Sequence, residues 1–598
     1  MSKEKIVFAV VLSFISLCAP FSVWGEPPAT VQKRLVLFGY EFFRCCNNKE
    51  RSAAQVFCES SRCLRDVGID GVGLYLGQKM LPDGRRMISP MDDDFVWKYE
   101  DLAPDVPFYK EGFRKCGLKY NFLSTFFRAP KKHIAWNDDE AWDRIAETMR
   151  NIARFAKASG FRGLCADHED YHHASQFTRR TDEPSWDELV PVVRARGRQV
   201  FSAVFAEFPD AELFFYWFLG WRDRFFTCRD VESALRDNDE LWPAFANGIL
   251  DALPPTARIV DGDEWAYYHE EPEYFTRSHN FRTVACQGMV ASENRAKYRA
   301  QVGMGFGLYT DMYILPEKDS KGETPKFYRG PDADGSRLRK FAKTMAAATD
   351  ASDEYVWIWN EAVQWARWSP PPKKYQYANT CLEEFLPGIR AVCEAARGAE
   401  GFVGRREREL AAKGALTNLI ANASCDPANR SLSAGLHLDH KGSFVPKPWF
   451  AWHSAVSSNG VAGVDVGGGH GGGSALAVRG SHDGCFVWNL KNARPGDYYA
   501  FRVRVKGPAI VSVFPKKGGK DLTWWDEMGK IYCVPQGRPE ADGWKLAQAL
   551  VRIPDGVDEM SFHLGWKQEP DEVTRFDDVV LEPLVWFDPK TERTRFYK

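Results

Sequence analysis

Residues 141–170 read AWDRIAETMRNIARFAKASGFRGLCADHED. The first twenty are amphipathic with helical periodicity. Asp138 and Asp139 stand at their start and Gly160 ends them, the residue types that begin and close helices. Phe161 to Ala166 then form a short apolar run, which reads as a buried β-strand. The run stops in a burst of charge: Asp167, Glu169 and Asp170 fall within four positions, beside His168, His172 and His173. A helix leading into a buried strand is one unit of a parallel sheet covered by helices. Burying one unpaired carboxylate is costly, so three together require a partner, a cation or a catalytic task.

The same unit recurs in both directions along the chain. Apolar runs rich in β-branched and aromatic residues occupy 34–42, 69–76, 118–125, 161–170, 211–218, 257–265, 305–315 and 354–365. Helical stretches such as WDELVPVVRARGRQVFSAVFAEFP lie between them. Eight strand–helix units close naturally into a (β/α)8 TIM barrel, predicted over residues 34–400. An open doubly wound sheet fits less well, because no glycine-rich phosphate turn follows the first strand. Near residue 416 the helical periodicity stops. Segments such as GCFVWNLKNARPGDYYAFRVRVKG and DGWKLAQALVRIPDGVDEMSFHLGW alternate like strands between Gly, Pro and Asp turns. They predict an all-β jelly-roll sandwich over 416–590.

Composition narrows the function. The chain is 44% hydrophobic and 27% charged, enough apolar mass for a large core, and its net charge of −2 lacks the basic excess of a nucleic-acid binder. Its 21 tryptophans supply rings able to stack on flat faces of ligands. Residues 1–25 carry Lys3 and Lys5, an apolar stretch from Ile6 to Ala19 and small residues around Val23-Trp24-Gly25. This predicts a secretory signal peptide, hence export to the periplasm or exterior. No other window reaches the about 18 apolar residues of a membrane span. Cleavage would remove Cys18 from the 14 cysteines and leave an odd number without a C-x-x-C pair. No disulfide framework or zinc ribbon is predicted, although Cys45, Cys46, Cys58 and Cys63 are close enough in sequence for a local bridge.

In a barrel of this kind catalytic side chains project from the C-terminal strand ends, and the acids gather there. Glu41 follows strand one; Asp167, Glu169 and Asp170 follow strand four; Asp261, Asp263 and Glu264 follow strand six; Asp311 follows seven and Glu361 eight. Aromatics accompany them, among them Tyr40, Tyr171, Trp217, Trp265, Tyr267, Tyr268, Tyr313 and Trp359. A carboxylate-lined, aromatic-walled pocket suits a sugar, whose hydroxyls need acceptors and whose apolar face needs a ring. A polysaccharide or glycan is therefore the expected partner, with no cofactor and no metal required. Asp167 and Glu169, two apart on a strand, point to one face with His168 on the other. Two acids so close do not ionise independently, and a proton-holding Glu169 is the expected general acid. Glu361, Asp311 and Asp263 are the candidate partner carboxylates. Glu41, Tyr171, Trp217, Glu264, Trp265, Tyr313 and Trp359 are the candidate substrate contacts. Any single acid could instead be a structural partner of Arg44, Arg128 or Arg162, and for Asp170 and Asp261 that is the expected role. A metal held by Asp167, His172 and His173, as in a metal-dependent hydrolase or deacetylase, is a further alternative.

The spacing Gly163-x-x-x-Asp167-x-Glu169 resembles the strand-four motif of chitinase-type (family 18) glycoside hydrolases and related endo-β-N-acetylglucosaminidases. The resemblance implies Glu169 as acid/base and Asp167 as the residue that positions the substrate's N-acetyl group. Arg162 and Cys165 stand where that family has acids. This departure leaves open a two-carboxylate mechanism with Glu361, Asp311, Asp263 or Glu264 as partner, and also a sugar-binding barrel without turnover. The segments NLIANAS, ARPGDYYAFRVRVKG and FDDVVLEP resemble carbohydrate-binding modules appended to secreted glycosidases. Together the resemblances imply a secreted glycoside hydrolase. Arg44, Arg128, Arg222 and Arg224 near strand ends hint at an anionic group on the substrate.

Overall fold

Eight parallel strands pair in chain order and close into a barrel: β1 (Arg34–Gly39), β2 (Gly71–Tyr75), β3 (Phe122–Ser124), β4 (Gly163–Ala166), β5 (Glu212–Phe215), β6 (Arg258–Asp261), β7 (Val302–Tyr309) and β8 (Tyr355–Asn360). The seam is β1 against β8, in register from Arg34 opposite Tyr355 to Gly39 opposite Asn360. The structure is a computed structural model. It describes residues 33–584 except 40–51, 77–78, 82, 125–129, 171–174, 221–230, 284, 320, 326, 332–334, 362–363, 366–380, 398–409, 415–416, 428–430, 455–458, 496, 523–530, 534, 537–539, 555 and 569. The barrel and the following β-sandwich are the fold class expected from the sequence.

The strands read as continuous apolar runs because both of their faces are covered, by helices outside and by side chains within. Inside, Phe38 lies 5.2 Å from Phe214 and 5.8 Å from Trp357, ring centre to ring centre. This packing decides the neighbouring strand: a Cβ at Gly73 would lie 2.0 Å from the Phe38 ring. The helix Asp139–Ser159 starts where Asp138 accepts the Ala141 N–H at 3.0 Å, and it stops at Gly160, whose φ of 86° favours glycine. At the barrel floor Glu212 is buried between Arg162, 2.5 Å away, and the Tyr355 hydroxyl, also 2.5 Å away. Arg162 is thus committed to the far end of the barrel from the acids that follow β4.

β4, β6 and β7 are shorter than their apolar runs on the side where the acids gather. β4 ends at Ala166 because Asp167 turns the chain, its Oδ1 accepting the Glu169 N–H at 2.9 Å. After β6, Asp263 adopts a left-handed φ of 41° and opens the 3₁₀ turn Glu264–Tyr268. β7 likewise gives way to the 3₁₀ turn Thr310–Tyr313. Asp167 and Glu169 therefore sit on a loop above β4 and not on the strand itself, a correction to the strand-alternation reading.

The C-terminal region is a sandwich of two antiparallel sheets. One orders Phe450–His453, Asp483–Lys491, Glu559–Lys567, Ala509–Lys517 and Lys520–Asp521, with Ile531–Cys533 also pairing Ala509–Lys517. The other orders Pro535–Gln536, Lys545–Arg552, Tyr498–Lys506, Val573–Leu584, Ser474–Arg479, Val461–Val466 and Gly435–Asp439. Phe486, Phe501, Phe562, Trp566 and Phe576 fill the space between them. The sandwich docks on the barrel through polar groups: Lys545 Nζ donates to the Arg299 carbonyl at 2.7 Å and Gln548 Nε2 to that of Asp350 at 3.3 Å. No disulfide joins Cys58 to Cys63, and Cys45 and Cys46, the other candidates for a local bridge, lie outside the described residues. Among the described residues no helix is long and apolar enough to cross a membrane.

In the sandwich, burial and the adjacent Asp578 push Asp577 up to about 8, while its Oδ2 accepts the His470 N–H at 2.8 Å. Between the ordinary carboxylate value and about 8 the folded chain holds a proton that the unfolded chain has lost. Stability from this group therefore falls as pH rises across that window. Thermal unfolding at about pH 5 and about pH 9 should show a fall in wild type that is smaller in Asp577→Asn.

Candidate active site

The mouth of the barrel is built on segments that follow β4 to β8. Below it lies an aromatic floor: Tyr216 stacks on Trp357 at 4.5 Å, and Tyr267 lies 5.4 Å from both Trp357 and Tyr309. Above this floor, segments following β4, β6 and β8 each present carboxylates. Glu169 Oε1 accepts the Trp217 indole N–H at 3.2 Å. Glu361 is held twice, its N–H donating to Asp311 Oδ2 at 2.9 Å and its Oε1 accepting the Trp359 indole N–H at 2.7 Å. Glu264 is half-buried, with its Oε2 shielded. Burial, then the charges of Glu169 and Asp167, hold its carboxyl well above the usual carboxylate range; the Trp217 indole counteracts, and Glu361 adds to the rise. Two shielded oxygens in this group, Glu264 Oε2 and the Tyr267 hydroxyl, have no hydrogen-bond partner among the described residues. Such atoms cost roughly 1–3 kcal/mol each when left unmet, so they mark where a ligand's polar groups belong.

Beside Glu169, the general acid expected from the sequence, the structure thus adds Glu264, two strands further around the barrel, as a second candidate to carry the proton. Asp167, Glu169 and Glu361 do join Glu264 in one electrostatic cluster. Asp311 serves it from below, buried and bonded to the Glu361 backbone. Asp263 does not join it. Its carboxylate is fully buried and bonded to Arg282 and to the Ser278 hydroxyl, so it is a structural ion pair and not a free partner carboxylate. Asp261 lies beside the same guanidinium, 3.8 Å from Arg282 Nε, and accepts the N–H groups of Leu219 and Gly220 at 3.1 and 3.2 Å. Asp170 accepts the Ser175 N–H at 2.8 Å and shapes its own loop. Tyr313 is buried edge-on against Phe341, 5.2 Å away, and is core, contrary to its assignment as a substrate contact. Trp217 and Trp265 flank the cluster, and Trp359 reaches it through Glu361. Glu41 and Tyr171 lie outside the described residues, as do His172, His173, Arg44, Arg128, Arg222 and Arg224.

His168 points away from the acids and stacks on Trp242 at 3.7 Å. Cys165, one of the departures from the chitinase-type motif, is buried inside the barrel within reach of Tyr216 and Ser124. Sequence reasoning missed Arg282 and Ser278, which sit four apart on the helix Pro272–Thr283 and face β6. A polar i, i+4 pair on the buried side of that helix was the available cue.

No family model and no curated protein matches the chain. Similarity to solved structures is partial. The enzymatically active domain of bacteriophage CBA120 tailspike protein 4 shares 11% identity over 28% of this chain and 21% of its own, with a TM-score of 0.20. The C-terminal family 22 carbohydrate binding module of Clostridium thermocellum Xyn10B shares 13% identity over 26% of this chain and 97% of its own, with a TM-score of 0.18. A putative sugar binding protein from Bacteroides thetaiotaomicron shares 11% identity over 28% of this chain and 100% of its own, with a TM-score of 0.20. At such scores the likenesses bear no weight, and the functional reading rests on the site.

Arg282 is the testable centre of this scaffold. Replacing it by Met strands two buried carboxylates and should cost about 3–5 kcal/mol. Denaturant unfolding of Arg282→Met against wild type measures the loss.

Proposed function

We propose that the protein hydrolyses glycosidic bonds, with Glu264 as the general acid. The observation that carries this reading is the buried, proton-holding Glu264 carboxyl beside Asp167, Glu169 and Glu361, with its Oε2 unmet. Cleaving a glycosidic bond requires a proton on the departing oxygen and a carboxylate to stabilise or capture the developing oxocarbenium charge. Glu264 supplies the first. Glu169 and Glu361, each steadied by an indole N–H, supply the second. The aromatic floor keeps the local dielectric low, which strengthens each of these charges at the reacting centre. In this reading residues 1–25 serve as an export leader, as their sequence suggests, and the sandwich is a glycan-holding module. On its edge strand Phe450 and Trp452, two apart and so on one face, are 50% and 52% exposed.

Glu264→Gln should lower kcat by about 10²–10⁴-fold on natural glycans, and much less on aryl glycosides whose leaving group needs no proton. Glu169→Gln or Glu361→Gln should lose turnover on both kinds of substrate. Product release from a panel of polysaccharides and aryl glycosides, followed by chromatography, makes the comparison. Equal loss on both substrates in Glu264→Gln would remove it as the acid, and binding without any release would make the barrel a lectin.

The pH profile gives an independent check. The acid must be protonated, so kcat/KM falls as pH rises through the Glu264 value. Asp167→Asn removes one of the charges that raise that value, so the alkaline limb should move to lower pH. A limb that stays in place would show that Glu264 does not set it.

A further inference from the structure

The 3₁₀ turn that delivers Glu264 inward also carries two aromatic rings outward. Trp265 and Tyr268 are 47% and 42% exposed, and their ring centres stand 5.6 Å apart at an angle of 43°. Trp265 meets Trp217 edge-on at 5.5 Å, and Trp217 is the residue whose indole N–H reaches Glu169. Tyr268 is braced from the barrel side by Phe327, 6.2 Å away, which itself packs on Tyr309 at 5.5 Å. A rail of rings therefore leads from the carboxylates to solvent, with each step about the length of one sugar unit. A single sugar at the acids would use only the inner end of it.

Large rings left half open next to one another forgo burial that a folded chain ordinarily takes. The turn that holds them is firmly placed. Arg329 Nη2 donates to the Tyr267 carbonyl at 2.8 Å, and the Arg329 N–H donates to the Met312 carbonyl at 2.9 Å. A fixed platform loses little freedom when a ligand settles on it. The tilt between the two rings suits successive units of a twisted chain, since one flat molecule cannot lie on both.

We propose that Trp265 and Tyr268 are stacking subsites for glycan units beyond the bond that is cleaved, so that the site takes an oligosaccharide or polysaccharide chain and not a lone terminal sugar. This rests on the glycosidic reading of the carboxylate cluster for its chemistry, but its own evidence is the rail.

The test is binding without turnover. Full-length Glu264→Gln, carrying Phe450→Ala and Trp452→Ala to silence the sandwich face, is titrated by calorimetry with cello-, xylo-, chito- and β-galacto-oligosaccharides of increasing length. In at least one series affinity should rise roughly tenfold between the disaccharide and the tetrasaccharide, the size of one or two aromatic stacking contacts. Adding Tyr268→Ala should abolish most of that gain, whereas Trp265→Phe, which keeps a ring, should retain it. Both positions are surface-exposed, and matching thermal unfolding curves certify the fold. If no series gains affinity with length, or the gain survives Tyr268→Ala together with Trp265→Ala, the rail proposal is overturned. Hydrolysis by the wild-type protein in that case would leave the glycosidase reading standing. A length-dependent gain lost in the ring variants, with no hydrolysis by wild type, would keep the rail and remove the glycosidase reading.

Discussion

One buried guanidinium sets the geometry of the barrel mouth. Arg282 is 3% exposed and lies between Asp263, to which it is bonded, and Asp261, 3.8 Å from its Nε. Asp261 in turn takes the N–H groups of Leu219 and Gly220, just past Trp217. Gly220 has no alternative there, because a Cβ would fall 2.2 Å from Arg282 Nε. Asp263 opens the turn that begins with Glu264. Trp217 and Glu264, which follow different strands, are thus referred to the same charge. A buried ion pair of this kind adds little net stability, but it tolerates few alternative positions for the groups bonded to it.

Once those two residues are placed, the electrostatics follow. Burial shields much of the Glu264 carboxyl, and its neighbours Glu169 and Asp167 are acids. Ionising it would add like charge in a place that solvates charge poorly, so the proton stays. Glu169 and Glu361 have hydrogen-bond donors of their own, Trp217 for Glu169 and Trp359 for Glu361. One site therefore holds a carboxyl raised above the usual range beside two others that accept indole N–H bonds, an arrangement suited to acid-assisted bond cleavage.

Much of this was legible from local pattern. The helix over 139–159 and the strand after it follow from periodicity and from Asp138 and Gly160, which depend on neighbours a few residues away. The clustering of Asp167, Glu169, Glu264, Asp311 and Glu361 at strand ends follows from the barrel itself. Strand ends were misjudged where a side chain recaptures the backbone, as Asp167 does with the Glu169 N–H. Tyr313 and Asp263 looked like pocket residues because they share a strand end with the acids. Which way each turned depended on Phe341 and Arg282, partners on other elements.

The sequence by itself determined the architecture, because hydrophobic spacing, helix caps and turn residues are written over short spans and each is readable alone. It also determined that carboxylates and aromatic rings would meet at one end of the barrel. The tertiary structure decided which carboxylate keeps a proton, which acids are spent on Arg282, and which rings stay open to a ligand. Those properties are set by burial and through-space charge. Besides burial, the residues that raise Glu264 are Glu169 and Asp167 from the loop after β4 and Glu361 after β8, far apart in the chain and adjacent only once the barrel has closed.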